Sequence, residues 1–245
     1  MKKILFCLIA ALFAYPSFAQ ENENKSVVKL NLSALAYKSY SFQYEMALAK
    51  NMSVACGLRL TPNIGFPKRI TALDSTGELA KIGIKGWAFT PEFRFYPGKK
   101  EKKQAPRGFY LAPYLRYTHF ATNIPVTIND SITGAHTFSM TGNINALTLG
   151  FMIGAQWIIK DRVSIDWWIL GGSTGSYKST FEIEADLKGV PQSERTKWEN
   201  DIQTTVSQLP GVSSVEGKVY DTKLTVDVKG KLAGVRSGVC IGFAF

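Results

Sequence analysis

Two histidines, His119 and His136, are the side chains of this sequence best suited to exchange a proton near neutral pH. Beside a hydroxyl nucleophile and a carboxylate, either could serve acyl transfer or lipid hydrolysis, because histidine must take the proton that makes a serine nucleophilic. His119 falls on the apolar side of an alternating run, but no serine stands two positions away to share its face. His136-Thr137-Phe138-Ser139 falls in an expected loop, at a spacing that does not align side chains on a strand. The expectation is that neither is catalytic, with His119 the one plausible base should the chain act on lipid. Cys56 and Cys240 fall on opposite faces of non-adjacent runs and are expected as free thiols. Isolated histidines and cysteines offer no ligand spacing, so no metal is expected. No glycine-rich loop follows a strand and opens a helix, so no cofactor is expected either.

A second group of residues carries charge where the pattern is otherwise small or polar. Glu45, Arg59, Glu92, Arg94, Arg116, Asp166 and Arg236, with Gln43 and Tyr114, all occupy the non-apolar side of period-two runs. If that side faces an enclosed interior, the charges must pair, since an unpaired buried ion costs several kcal/mol. A structural ion network is the expectation, and a proton or ion path the alternative. Glycines on the sixth and eighth runs would make room for the Arg and Tyr side chains. A third group, Lys99, Lys100, Lys102, Lys103 and Arg107 against Glu101, concentrates positive charge in one connection. Nucleic-acid binding needs a basic stripe across a face, so lipid headgroups or cell-wall polymer are the expected contacts, and no nucleic acid is expected.

The elements that must position these groups are visible as alternation. Large apolar residues recur at every second position in eight runs: 28–34, 40–48, 52–60, 87–95, 109–117, 147–157, 163–169 and 235–245. Most are the length a tilted strand needs to cross a bilayer, and longer than ordinary globular strands. The chain has 245 residues, 45% hydrophobic and 20% charged, with a formal net charge of +10. That balance excludes disorder, the glycines show no collagen period, and no long apolar run follows residue 20 to make a membrane helix. Connection lengths agree with a membrane barrel. The turns at 50–51, 97–108 and 159–162 are short enough for the periplasmic side. The connections at 62–85, 121–142 and 173–231 are longer, as outer loops are, while the one around Tyr37-Lys38 is unexpectedly short.

The first residues are an address. Met1-Lys2-Lys3 is a basic start, residues 4–15 are apolar, and Ser17-Phe18-Ala19 supplies a small-residue cleavage site before Gln20. A signal peptide over 1–19 and a single domain over 20–245 are expected. Within the 173–231 insertion, Phe181, Ile183 and Ala185 alternate against Leu224, Val226 and Val228, which predicts an extended hairpin. Pro191-Gln192-Ser193-Glu194 predicts a helix start, followed by Trp198, Ile202, Val206 and Leu209, with Pro210-Gly211 ending it. Its apolar stripe would pack on the hairpin or, alternatively, meet a partner.

On these residues the chain resembles the small outer-membrane β-barrels of Bacteroidota-type bacteria, many of them domains of unknown function. The resemblance covers most of the chain after residue 19. It is carried by Pro91-Glu92-Phe93-Arg94-Phe95-Tyr96, by residues 150–157 with Arg162-Val163-Ser164-Ile165-Asp166, and by residues 233–245. Ile241, Phe243 and Phe245 look like the terminal signal read by the barrel-assembly machinery. The resemblance implies an all-β, eight-stranded antiparallel transmembrane barrel in the cell outer membrane. It implies no activity. The expected role is non-enzymatic, in membrane integrity or surface interaction, as a monomer whose partners are outer-membrane lipid and an extracellular or envelope protein met through the loops. A lipid A-modifying enzyme (hydrolase or acyltransferase) is the alternative, and a soluble lipocalin-like carrier the second.

Overall fold

Alternation of large apolar with small or charged side chains gives an extended ribbon two unlike faces, which a sheet can separate by curling shut. The computed structural model describes residues 26–65, 83–97, 105–130 and 134–245. In chain order its elements are β1 (Ser26–Asn31), α1 (Leu32–Ala36), β2 (Tyr40–Ala49), β3 (Met52–Gly65), β4 (Gly83–Phe95), β5 (Gly108–Asp130), β6 (Gly134–Ile159), β7 (Val163–Glu184), α2 (Gln192–Ser207), β8 (Val212–Val219) and β9 (Lys223–Ala244). Neighbours pair antiparallel from β1 to β7, β7 pairs with β9, and β9 returns to β1. Eight strands thus close a ring, the expected barrel, while β8 stands outside it and pairs only with the first residues of β9.

The seam runs from Val27 opposite Ala244 to Asn31 opposite Cys240. Ser26 and Phe245 complete it by exchanging backbone hydrogen bonds of 3.1 and 2.9 Å. At the same end, Lys160 and Asp161 both adopt positive φ (48° and 57°), the two-residue turn whose twist matches a tight hairpin. The outer face of the ring is apolar: Phe42, Leu58, Phe89, Leu115, Leu149, Phe151, Trp167, Val239 and Ile241 are all exposed. Trp87, Tyr117 and Tyr40 stand toward one rim, and Trp157, Phe109, Phe243 and Phe245 toward the other. Cys56 lies on this outer face and Cys240 inside, and both are free.

Four expectations need correction. The first run ends as a strand at Asn31, because its side chain accepts from Ala34 N (2.8 Å) and starts α1 over residues expected to remain extended. The connection expected over 121–142 is ladder instead: β5 and β6 stay in register from Gly108–Gln156 to Asp130–Gly134. His136 therefore sits in β6 opposite Ile128 rather than in a loop. Ile169 was expected to face outward in strict alternation. A bulge between Trp168 and Gly171 instead exposes Leu170 and turns Gly171 inward, reversing the inward parity of β7. Finally, β8 was read as part of no strand. Its inward residues are Val215, Gly217 and Val219, and the central glycine erases the apolar signal.

These corrections make the ring lopsided. β5, β6, β7 and β9 run to 22 residues or more, while β1 has 6 and β2 has 10. At roughly 3.3 Å per residue, the long strands are about twice what a bilayer crossing requires. On this tall side α2 lies against β8. Ile202 occupies the space that a side chain at Gly217 would fill, and Glu199 Oε1 accepts from Val219 N at 2.8 Å. Arg195 ties the helix start to Leu187 O (2.7 Å) and to Asp221 (2.7 Å). Trp198 and Leu209, expected in the same stripe, remain exposed. Near the hairpin tip Glu182 accepts from Lys223 at 2.9 Å, and this bond holds the ammonium above its ordinary range.

Candidate functional site

Inside the ring, period two delivers one inward side chain per strand at each level, and the levels fill from the seam end upward. Lys29 of β1 is 1% exposed and donates to Glu45, to Gln156 Oε1 (2.6 Å) and to Asp166 Oδ2 (2.7 Å). Arg94 of β4 is fully buried beside it. Its Nη1 reaches Asp166 (2.8 Å) and Glu45 (3.1 Å), and its Nη2 reaches Gln43 and Glu92, both at 2.9 Å. Hydroxyls complete the acids: Tyr96 donates to Glu45 (2.6 Å) and Tyr110 to Asp166 (2.7 Å), with Ser53 also on Glu45. Trp168 Nε1 adds a bond of 3.2 Å to Asp166. Both cations are paired with acids and almost every oxygen is used, which is the condition under which buried ions are tolerable.

Glycine makes the space. A β-carbon at Gly154 would lie 2.4 Å from the Tyr110 ring, and one at Gly150 would lie 2.4 Å from Tyr114. The Arg94 guanidinium then rests 4.3 Å from the centre of the Tyr110 ring, a cation–π contact. The result is a plug, consistent with an eight-stranded interior that side chains can fill.

Above the plug the arrangement changes. Arg236 pairs with Glu92 (2.5 Å) and stacks 3.8 Å from the Trp168 ring centre. Arg59 and Arg116 do not join the network. They line a cavity of about 460 Å³ together with Arg236, Trp168, Tyr37 and Thr90. Of the seven charged residues expected inside, Glu45, Glu92, Arg94 and Asp166 are thus brought together, Arg236 is attached through Glu92, and Arg59 and Arg116 stand apart. Lys29, Gln156, Tyr96 and Tyr110 belong to the plug and were missed, although Lys29 is visible between Val28 and Leu30 at an inward position.

The other candidates are dispersed. His119 Nδ1 lies 2.9 Å from Asn145 Oδ1, which also accepts from Tyr117 OH (2.9 Å), and its ring lies 6.3 Å from that of Trp87. That is an aromatic cluster toward one rim, with no serine or carboxylate among its described partners. Arg107 pairs with Asp161 across two turns, while Lys99, Lys100, Lys102 and Lys103 lie outside the described residues, as does the leader over 1–19. Ile241, Phe243 and Phe245 are exposed on the outer face beside the seam. Among the described residues no three His, Cys, Asp or Glu side chains could hold a metal ion.

Comparison with known proteins adds a family. No curated protein sequence matches the chain. The crystal structure of the N-terminal β-barrel domain of Pseudomonas aeruginosa OprF aligns at 10% identity and a TM-score of 0.28, covering 92% of this chain and 100% of that one. At that score no property is transferred. Residues 4–207 match a family model across most of the barrel, and the chain belongs to the family described as Protein of unknown function (DUF3575).

Proposed function

We propose that this chain is an outer-membrane barrel with a non-enzymatic role, anchoring its tall outer hairpin for envelope integrity or contact with another surface component. One observation carries the reading: a continuous belt of exposed apolar side chains surrounds a lumen plugged at the seam end by paired ions. Soluble monomers rarely expose apolar patches beyond a few hundred Å², whereas lipid is the natural solvent for such a belt. A lipocalin-like carrier needs an apolar lumen, and here that space holds Lys29, Arg94, Glu45 and Asp166. The Asn145 contact of His119 supports an interfacial part for that residue rather than a catalytic one.

Within this reading the leader directs export, the terminal Ile241, Phe243 and Phe245 engage the assembly machinery, and the monomer sits in lipid. The hairpin with α2 and β8 is the contact surface. Fractionation of cells expressing the full chain tests the location: recovery in outer membranes, released only by detergent, is expected, and a detergent-free periplasmic protein overturns it. Crosslinking in intact cells from a probe at Trp198 tests the contact role. A discrete adduct supports it, and a lipid A profile altered by loss of the gene and restored only when His119 is intact replaces it with the enzymatic one.

A further inference from the structure

Among the described residues the lumen's charge does not balance, and the imbalance is confined to one place. Among the described residues Lys29, Arg59, Arg94, Arg116 and Arg236 face Glu45, Glu92 and Asp166. Glu45 and Asp166 answer Lys29 and Arg94 in the plug, leaving Glu92 to answer one of the three remaining guanidiniums. Two positive charges are left over, and the three guanidiniums among which they fall all line the same cavity. Arg59 Nε is buried there without a hydrogen-bond partner. The three arginines are near enough to repel one another. A protein seldom retains such crowding unless something else supplies the negative charge.

The cavity also has a side entrance. β9 pairs with β8 only through Gly230 and with β1 only from Cys240, so residues 232–239 have no strand on that edge. The short α1 fills the lower part of this opening, where Ser33 Oγ accepts from Val239 N at 3.0 Å. Val235, 83% exposed, and Ser237 form its edge and also line the cavity, so the cavity that holds the arginines reaches the outer apolar belt.

We infer that this cavity is a binding site for a phosphate monoester, coordinated by Arg59, Arg116 and Arg236. A guanidinium fork matches phosphate oxygens in pairs, and a dianion matches the two uncompensated charges. A volume of about 460 Å³ falls within the range of small-molecule sites, roughly 300–1,000 Å³. The phosphate belongs either to a soluble compound or to a lipid headgroup entering beside β9. The lipid source rests on the membrane reading, whereas the soluble source does not.

The test uses the full chain purified in neutral detergent without phosphate. In one arm inorganic phosphate is titrated calorimetrically; in the other, native mass spectrometry compares retention of phosphatidic acid with phosphatidylcholine from nanodiscs. Expected is one phosphate per chain, with affinity weakened about tenfold by Arg59→Gln or Arg116→Gln and unchanged by the hairpin control Lys178→Gln. Selective retention of phosphatidic acid, lost in the same variants, identifies the lipid source; phosphate binding without it identifies the soluble one. Absence of both, or binding indifferent to both arginines, overturns the site. Should a glutamine variant not fold, phosphate protection of Arg59 and Arg116 from phenylglyoxal in the native chain decides the matter, and equal labelling with and without phosphate counts against it. A chain that needs no detergent would sink the membrane reading and leave the calorimetric arm interpretable.

Discussion

Lys29 and Asp166, 137 positions apart in sequence, meet at 2.7 Å inside the barrel and join β1 to β7 over the intervening β9. Both ions are buried, and each depends on its partners in the plug: Lys29 on Asp166 and Glu45, Asp166 on Lys29 and Arg94. Asp166→Asn or Lys29→Met is expected to cost about 3–5 kcal/mol, and the double variant less than the sum of the two. Urea unfolding of the refolded barrel in detergent measures this, and additive losses would mean that the pair does not act as a unit.

On the outer face Val239 is exposed between Trp167 and the seam. Val239→Arg is expected to destabilise insertion by about 2–4 kcal/mol, as cations do on the lipid face of a barrel. Ser237→Thr, two positions along, should be tolerated. Equal assembly of both variants into lipid vesicles would refute the lipid-facing assignment.

Gly154 is held to glycine by the Tyr110 ring. Gly154→Ala must push Tyr110 away from Asp166, so a loss of about 1–3 kcal/mol is expected from overpacking alone. Loss of heat-modifiable migration at a lower temperature than the native chain reports it.

Phe243 and Phe245 are on the outer face, and their side chains take no part in the plug. Phe245→Ala with Phe243→Ala is therefore expected to reduce outer-membrane yield in cells while leaving refolding in detergent nearly unchanged. A matching defect in both settings would make these residues ordinary structural ones.

The helix is held from one side only. Ile202→Asp should free α2 from β8 and speed proteolysis within 192–207, with the barrel's unfolding midpoint unchanged. A shifted midpoint would mean that helix and barrel unfold together.

Alternation made the ring legible because a barrel separates its two faces so completely: Leu58, Phe89 and Trp167 outside, Arg94 and Asp166 inside. It failed where something besides pleating decided the backbone. Asn31 turned β1 into a helix by capping it, the bulge after Trp168 reversed β7's parity, and Gly217 removed the signal of β8. The upper ladder of β5 and β6 was legible in part, since Ile124, Val126 and Ile128 recur at every second position there. The plug was half legible. Arg94 and the acids stand out by type, whereas Lys29 alternates with Val28 and Leu30 in a run that breaks at Asn31.

The seam has a consequence in time. Residues 26–31 can close only against residues 240–244, so the ring stays open until two segments some two hundred positions apart in sequence meet. Until then Lys29 has none of its bonds to β7, and the charged interior is a wetted sheet. Maturation of this barrel is therefore a single late event, in which closing the wall and expelling water from its charges are the same step.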